Sequence, residues 1–115
     1  MAYNILLADK VRSYLSQLPS LKIEEKKMFR GLAFLVNGKM CINISGDNLM
    51  CRFDPELQKE LETRTGYLPM LMKDKEYKGY CYVEPCGIKT KKAFEFWINT
   101  CLAYNAQAKS SKKKA

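Results

Sequence analysis

Residues 26–53 read KKMFRGLAFLVNGKMCINISGDNLMCRF, and the folding of this stretch decides how the rest of the chain is read. It holds two turn signals, Asn37-Gly38 and Ser45-Gly46-Asp47-Asn48, with short apolar and β-branched runs between them. Asn-Gly suits a two-residue hairpin turn because both central residues must take positive φ, which these two types tolerate best. The pattern predicts a three-strand antiparallel meander, Leu32–Val36, Lys39–Ile44 and Leu49–Phe53. Glu24–Phe29 reads as a fourth strand ahead of it, polar enough to sit at a sheet edge. Arg30-Gly31 is the bend between the two, with Gly31 supplying backbone freedom.

Register follows from the turns. Asn37-Gly38 pairs Val36 with Lys39, Leu35 with Met40 and Ala33 with Ile42. Gly46-Asp47 pairs Ser45 with Asn48, Ile44 with Leu49 and Ile42 with Cys51. Side chains alternate across a strand, so one face collects Ala33, Leu35, Met40, Ile42, Ile44, Leu49, Cys51 and Phe53 as a core. The other carries Leu32, Phe34, Val36, Cys41, Asn43, Met50 and Arg52, too apolar in part to be left in water. Either a helix of the same chain covers Leu32, Phe34, Val36 and Met50, or a second protein does.

Working outward, Tyr3, Leu6, Leu7, Val11, Tyr14, Leu15 and Leu18 recur at helical spacing and predict an opening amphipathic helix ended by Pro19. After Phe53, Asp54-Pro55-Glu56 is a helix start, with Asp as cap and Pro in the first turn. That helix runs to about Thr63, and residues 65–76 read as irregular. Tyr77–Val83 is the last strand, with Tyr80 and Tyr82 on one face and Cys81 and Val83 on the other. Thr90 caps a final helix to about Ala106, its stripe formed by Phe94, Trp97, Ile98, Cys101 and Leu102. The expected fold is α+β, an antiparallel meander of about five strands flanked by three helices. Residues 1–106 form the domain, and 107–115 a disordered lysine-rich tail.

Composition narrows the chemistry. The sequence has no histidine, which removes the commonest general base and the commonest metal ligand. Its five cysteines, Cys41, Cys51, Cys81, Cys86 and Cys101, form no even framework and read as reduced thiols, several of them core residues. Cys86, in a Pro-Cys-Gly turn near Lys89, is the candidate exposed, reactive thiol. No catalytic pair, metal set or cofactor motif is visible. The first residues lack a basic leader and a continuous apolar run, so the expected compartment is the cytoplasm. Net charge is +8, with four lysines in the closing KSSKKKA. Arg30, Lys39, Arg52, Lys78, Lys112, Lys113 and Lys114 are therefore candidate nucleic-acid contacts, with Tyr80 and Tyr82 able to stack on bases.

The run EEKKMFRGLAFLVNGKMCINISGDNLMCRFDPE, the opening MAYNILLADKVRSYL, the late KGYCYVEP and the terminal FEFWI together resemble the N-terminal domain of the TfoX/Sxy family. The resemblance covers about residues 1–105 and implies an antiparallel sheet flanked by helices. It also implies kinship with bacterial regulators of competence for DNA uptake, proteins that carry a second domain. Arg30 stands where many relatives have a second glycine. The family offers no catalytic motif to carry over. Two functions are expected from these readings. One is a non-enzymatic regulatory module acting through protein contacts, as a monomer or weak homodimer. The alternative is weak, sequence-independent nucleic-acid binding through a basic surface and the tail.

Overall fold

In the computed structural model, which describes residues 3–18, 21–28, 31–72 and 75–106, Asn37 and Gly38 take φ of 54° and 83°. They form the expected tight turn between β2 (Gly31–Val36) and β3 (Lys39–Ser45). β1 (Ile23–Met28) precedes them, and β4 (Asn48–Arg52) follows across the second turn. A short 3-10 turn and α2 (Gln58–Leu61) lead to β5 (Tyr67–Met72), which forms a hairpin with β6 (Lys75–Val83). α1 (Ile5–Ser16) and α3 (Lys91–Asn105) lie at the two ends of the described chain. All six strands form one antiparallel sheet, ordered β1-β2-β3-β4-β6-β5, so the fold is α+β.

The described residues hold six strands because the segment read as irregular contains β5. This strand contains Pro69, which is unusual in a strand's interior. β5 is an edge strand, where a missing N–H costs no ladder hydrogen bond.

One feature of β2 and β3 corrects the faces. Val36 pairs with Lys39 and Leu35 with Met40 as expected, but Phe34 then pairs with Ile42. Cys41 is the extra residue of a β-bulge, and beyond a bulge the alternation on one strand shifts against its partner. Leu32, Phe34 and Val36 therefore join Ile42, Ile44, Leu49, Cys51 and Phe53 in the main core, together with buried residues of α1 and α3. Ala33, Leu35 and Met40 move to the opposite side, where they cluster with Met50, Met70 and the half-buried Tyr80 and Tyr82. No residue of α1 or α3 joins that second cluster. Tyr80 and Tyr82 lie opposite Cys81 and Val83, as the alternation predicts.

Gly31 is reserved by space rather than by φ. A Cβ there would lie 1.9 Å from the Ile44 carbonyl oxygen and 2.8 Å from Asn43 Oδ1, so no side chain fits beside β3.

Caps and polar ties fix the helices on the sheet. The Asn4 side chain accepts from Leu7 N–H at 3.0 Å and donates to Asp47 Oδ1 at 3.0 Å, anchoring α1 to the β3–β4 turn. Thr90 Oγ1 accepts from Ala93 N–H at 3.1 Å at the start of α3. Buried Gln58 accepts from Gly79 N–H and donates to the Tyr67 hydroxyl, tying α2 to the last hairpin.

Arg12 on α1 clasps Glu25 on β1 through two bonds, Nε–Oε2 at 2.6 Å and Nη2–Oε1 at 2.8 Å. The hydrogen bonds from Arg12 hold the Glu25 carboxyl below its usual range against the opposing effect of burial. A depressed carboxyl contributes stability above its unfolded pKa and loses it as pH falls through the folded value. Both side chains are partly solvated, so the contribution stays under about 1 kcal/mol. Melting curves should show Glu25→Gln slightly less stable than the parent at pH 7, with the gap closing in acid. A gap that persists after the carboxyl is protonated would mean that the pair does not act through charge.

Candidate functional site

The expected site residues fall in different places. Leu32, Phe34 and Val36 are at most 5% exposed and form part of the main core, while Met50 is buried on the other face. The four do not make a partner surface on the folded chain: the bulge at Cys41 put the first three under the chain's own helices.

Among the basic candidates, Lys39 is half-buried and donates from Nζ to the Asn105 carbonyl at 3.1 Å, closing the end of α3. Arg52 donates to the Met40 carbonyl and lies 5.9 Å from the rings of both Tyr80 and Tyr104. These two cations are engaged within the fold rather than gathered on a basic face. Lys78 is exposed, as are Lys89, Lys91 and Lys92 around the start of α3. Arg30, Lys112, Lys113 and Lys114 lie outside the described residues. Tyr80 and Tyr82 belong to the second cluster and offer only part of their rings.

Two surface depressions flank α3. The first is a groove of about 650 Å³ between α1 and α3. Its apolar wall is built by Leu6, Tyr14 and Phe94, and its rim by Asp9, Lys10, Lys91 and Glu95. Tyr14 and Phe94 meet edge to face at 6.2 Å, and the Tyr14 hydroxyl donates to Asn99 Oδ1 at 2.8 Å. Lys10 Nζ sits 4.7 Å from the Phe94 ring. Leu6 is 76% exposed and its neighbour Ile5 is 53% exposed. The helical stripe in the sequence includes Leu6, yet Leu7, Ala8, Val11 and Leu15 are the α1 residues buried, with Tyr3, Tyr14 and Leu18 packed partly buried against the core. The stripe's spacing predicts Leu6 to be buried with it. The signal that it stands outside is the width of the stripe, which exceeds what one contact line can cover.

The second depression, of about 480 Å³, is lined by Thr63, Arg64, Thr65, Cys86, Gly87, Ala93 and Trp97. Two turns build it by packing backbone on backbone. A Cβ on Gly66 would lie 2.7 Å from Gly87 Cα, and one on Gly87 would lie 2.3 Å from the Thr65 carbonyl oxygen. Arg64 stacks 3.6 Å above Phe96. Cys86 is exposed here, while the other four cysteines are buried. Burial pushes the Cys41 and Cys51 thiols well up from their ordinary range, the sign of packed thiols rather than nucleophiles.

Among the described residues no group of three or more His, Cys, Asp or Glu side chains could hold a metal ion. Nor is any described helix long and apolar enough to cross a membrane. These features define a small α+β domain: one antiparallel sheet, two longer helices on one face, and a helical surface broken by an apolar groove. The chain belongs to the TfoX N-terminal domain family, whose model matches residues 13–104. No curated protein and no solved structure matches it.

Proposed function

We propose that this domain is a non-enzymatic regulatory module that acts by binding another protein through the groove between α1 and α3. The exposure of Leu6 at the mouth of that groove carries the reading. A large aliphatic side chain in water beside Tyr14 and Phe94 gains about 1.5–3 kcal/mol when a partner buries it. The rim charges, of both signs, suit a polar border around an apolar centre. Family membership supports a regulatory role, and the kinship with competence regulators points to control of gene expression in the cytoplasm. The chain acts as a monomer or weak homodimer until its partner arrives.

A photo-crosslinking residue in place of Leu6 tests this in cells. A discrete adduct with a different protein is expected from position 6, and none from Leu71, an exposed leucine on edge strand β5. Adducts with itself alone, or none, would sink the reading. Leu6→Lys should abolish the adduct formed from a probe at Ile5 while changing stability by no more than about 0.5 kcal/mol.

The net charge of +8 and the exposed Lys78, Lys89, Lys91 and Lys92 support a second reading, weak nucleic-acid binding without sequence preference. Fluorescence anisotropy of a labelled duplex across a salt series separates the two. Binding that survives removal of residues 109–115 would place it on the folded domain. Binding lost with those residues would leave the protein-contact reading in place.

A further inference from the structure

Cys41 on β3, Cys51 on β4, Cys81 on β6 and Cys101 on α3 are each at most 1% exposed and share the main core. The pairing of β4 with β6 sets Cys51 directly opposite Cys81. Directly opposed residues on antiparallel strands have Cα atoms roughly 4.5 or 5.5 Å apart, and a disulfide spans either distance. Cys101 on α3 belongs to the same buried cluster, so the three thiols share the core between the sheet and α3.

We infer that Cys51 and Cys81 are a latent disulfide pair, which a small hydroperoxide closes into a cross-strand bond stapling β4 to β6. In the closed fold these thiols are shut away from oxidant and from the water that a thiolate needs. Oxidant reaches them only on local opening, and α3, which carries Cys101, is the helix packed against this part of the core. An opening there would leave Cys51 and Cys81 side by side, held by the strand ladder.

The chemistry balances with hydrogen peroxide as the oxidant. Cys51 as thiolate attacks one peroxide oxygen; the S–O bond forms, the O–O bond breaks, and the departing hydroxide takes up the proton that Cys51 released. Cys81 then attacks the sulfenic sulfur of Cys51. The S–S bond forms, the S–O bond breaks, and hydroxide leaves with the proton of Cys81 as water. Two electrons pass from sulfur to oxygen, and two waters result.

The full chain carrying Cys86→Ser provides the test, since that change removes the exposed thiol that would link molecules together. It is treated with hydrogen peroxide in denaturant just below the unfolding transition, quenched with catalase, and returned to buffer. The expected product has lost two hydrogen atoms by intact mass, keeps two titratable thiols when unfolded, and maps to a Cys51–Cys81 link. Its melting temperature should rise by roughly 10 °C and return to the starting value with reductant. Cys101→Ala in the same background should form the same link. Retention of all four thiols, stepwise oxidation of single cysteines, a link through Cys41 or Cys101, or a link that requires Cys101 would overturn the inference.

Discussion

Phe34→Lys is expected to abolish cooperative folding, with no sigmoidal thermal transition by far-ultraviolet circular dichroism at neutral pH. Phe34 is fully buried on β2, among Ile42, Ile44 and Leu49 and beneath α1 and α3. Truncating a buried phenylalanine already costs about 3–5 kcal/mol. Lysine adds an ammonium group, and a buried charge with no partner costs several kcal/mol more unless it gives up its proton. A domain whose total stability is about 5–15 kcal/mol does not carry that sum. The milder Phe34→Leu keeps most of the volume and should fold with a lowered melting temperature. The result also decides the sheet register. Were the β2–β3 hairpin regular, Phe34 would face away from Ile42, and a lysine there could reach water. A well-folded Phe34→Lys protein would mean that the bulge at Cys41 does not exist.

That bulge marks the limit of what local sequence carries. The turn at Asn37-Gly38, the pairing beyond Gly46-Asp47 and the caps at Thr90 and Asp54 all depend on residue types with strong conformational preferences, and all are present. A bulge depends instead on which of two apolar faces packs better against helices distant in sequence. Met40-Cys41-Ile42 is apolar throughout, so no alternation marks the extra residue. Gly31 shows the same division. Its presence signalled a special backbone position, but the reason is the approach of the Ile44 carbonyl from the neighbouring strand, a tertiary fact.

The surface was legible in proportion to how local its cause was. Cys86 stands exposed as its Pro-Cys-Gly turn suggested. Lys39 and Arg52 looked like solvent-facing cations, yet the end of α3 and the Met40 carbonyl engage them, and neither partner is near them in sequence. The α1–α3 groove depends on how two helices separated by the whole sheet come to lie beside each other. Leu6 could be seen as one of several apolar residues on α1. The breadth of that apolar surface says that some of it stays outside; that Leu6 and Ile5 are the ones left in water follows from which residues of α1 the sheet buries.

Trp97→Ala should lower stability by about 3–5 kcal/mol, the usual cost of emptying a large buried aromatic site. In melting temperature this is a drop on the order of 10–20 °C. Trp97 is 1% exposed, the largest fully buried side chain, and it stands edge to face with Phe96 at 5.5 Å. It is also the sequence's single tryptophan, so circular dichroism must follow the melt in place of intrinsic fluorescence. Collapse cannot fill the hole cheaply, because the turns beside it already meet backbone to backbone at Gly66 and Gly87 and cannot close further. The space left by the indole should instead join the depression beside Cys86, which Trp97 already lines. The part vacated by the indole is apolar and takes an apolar guest, and a guest that binds only the folded form stabilises it by mass action. Free indole at millimolar concentration is therefore expected to raise the melting temperature of Trp97→Ala and to leave the parent protein unmoved. A large drop without rescue would mean that the turns had closed over the cavity. A drop of only a degree or two would remove Trp97 from the core altogether.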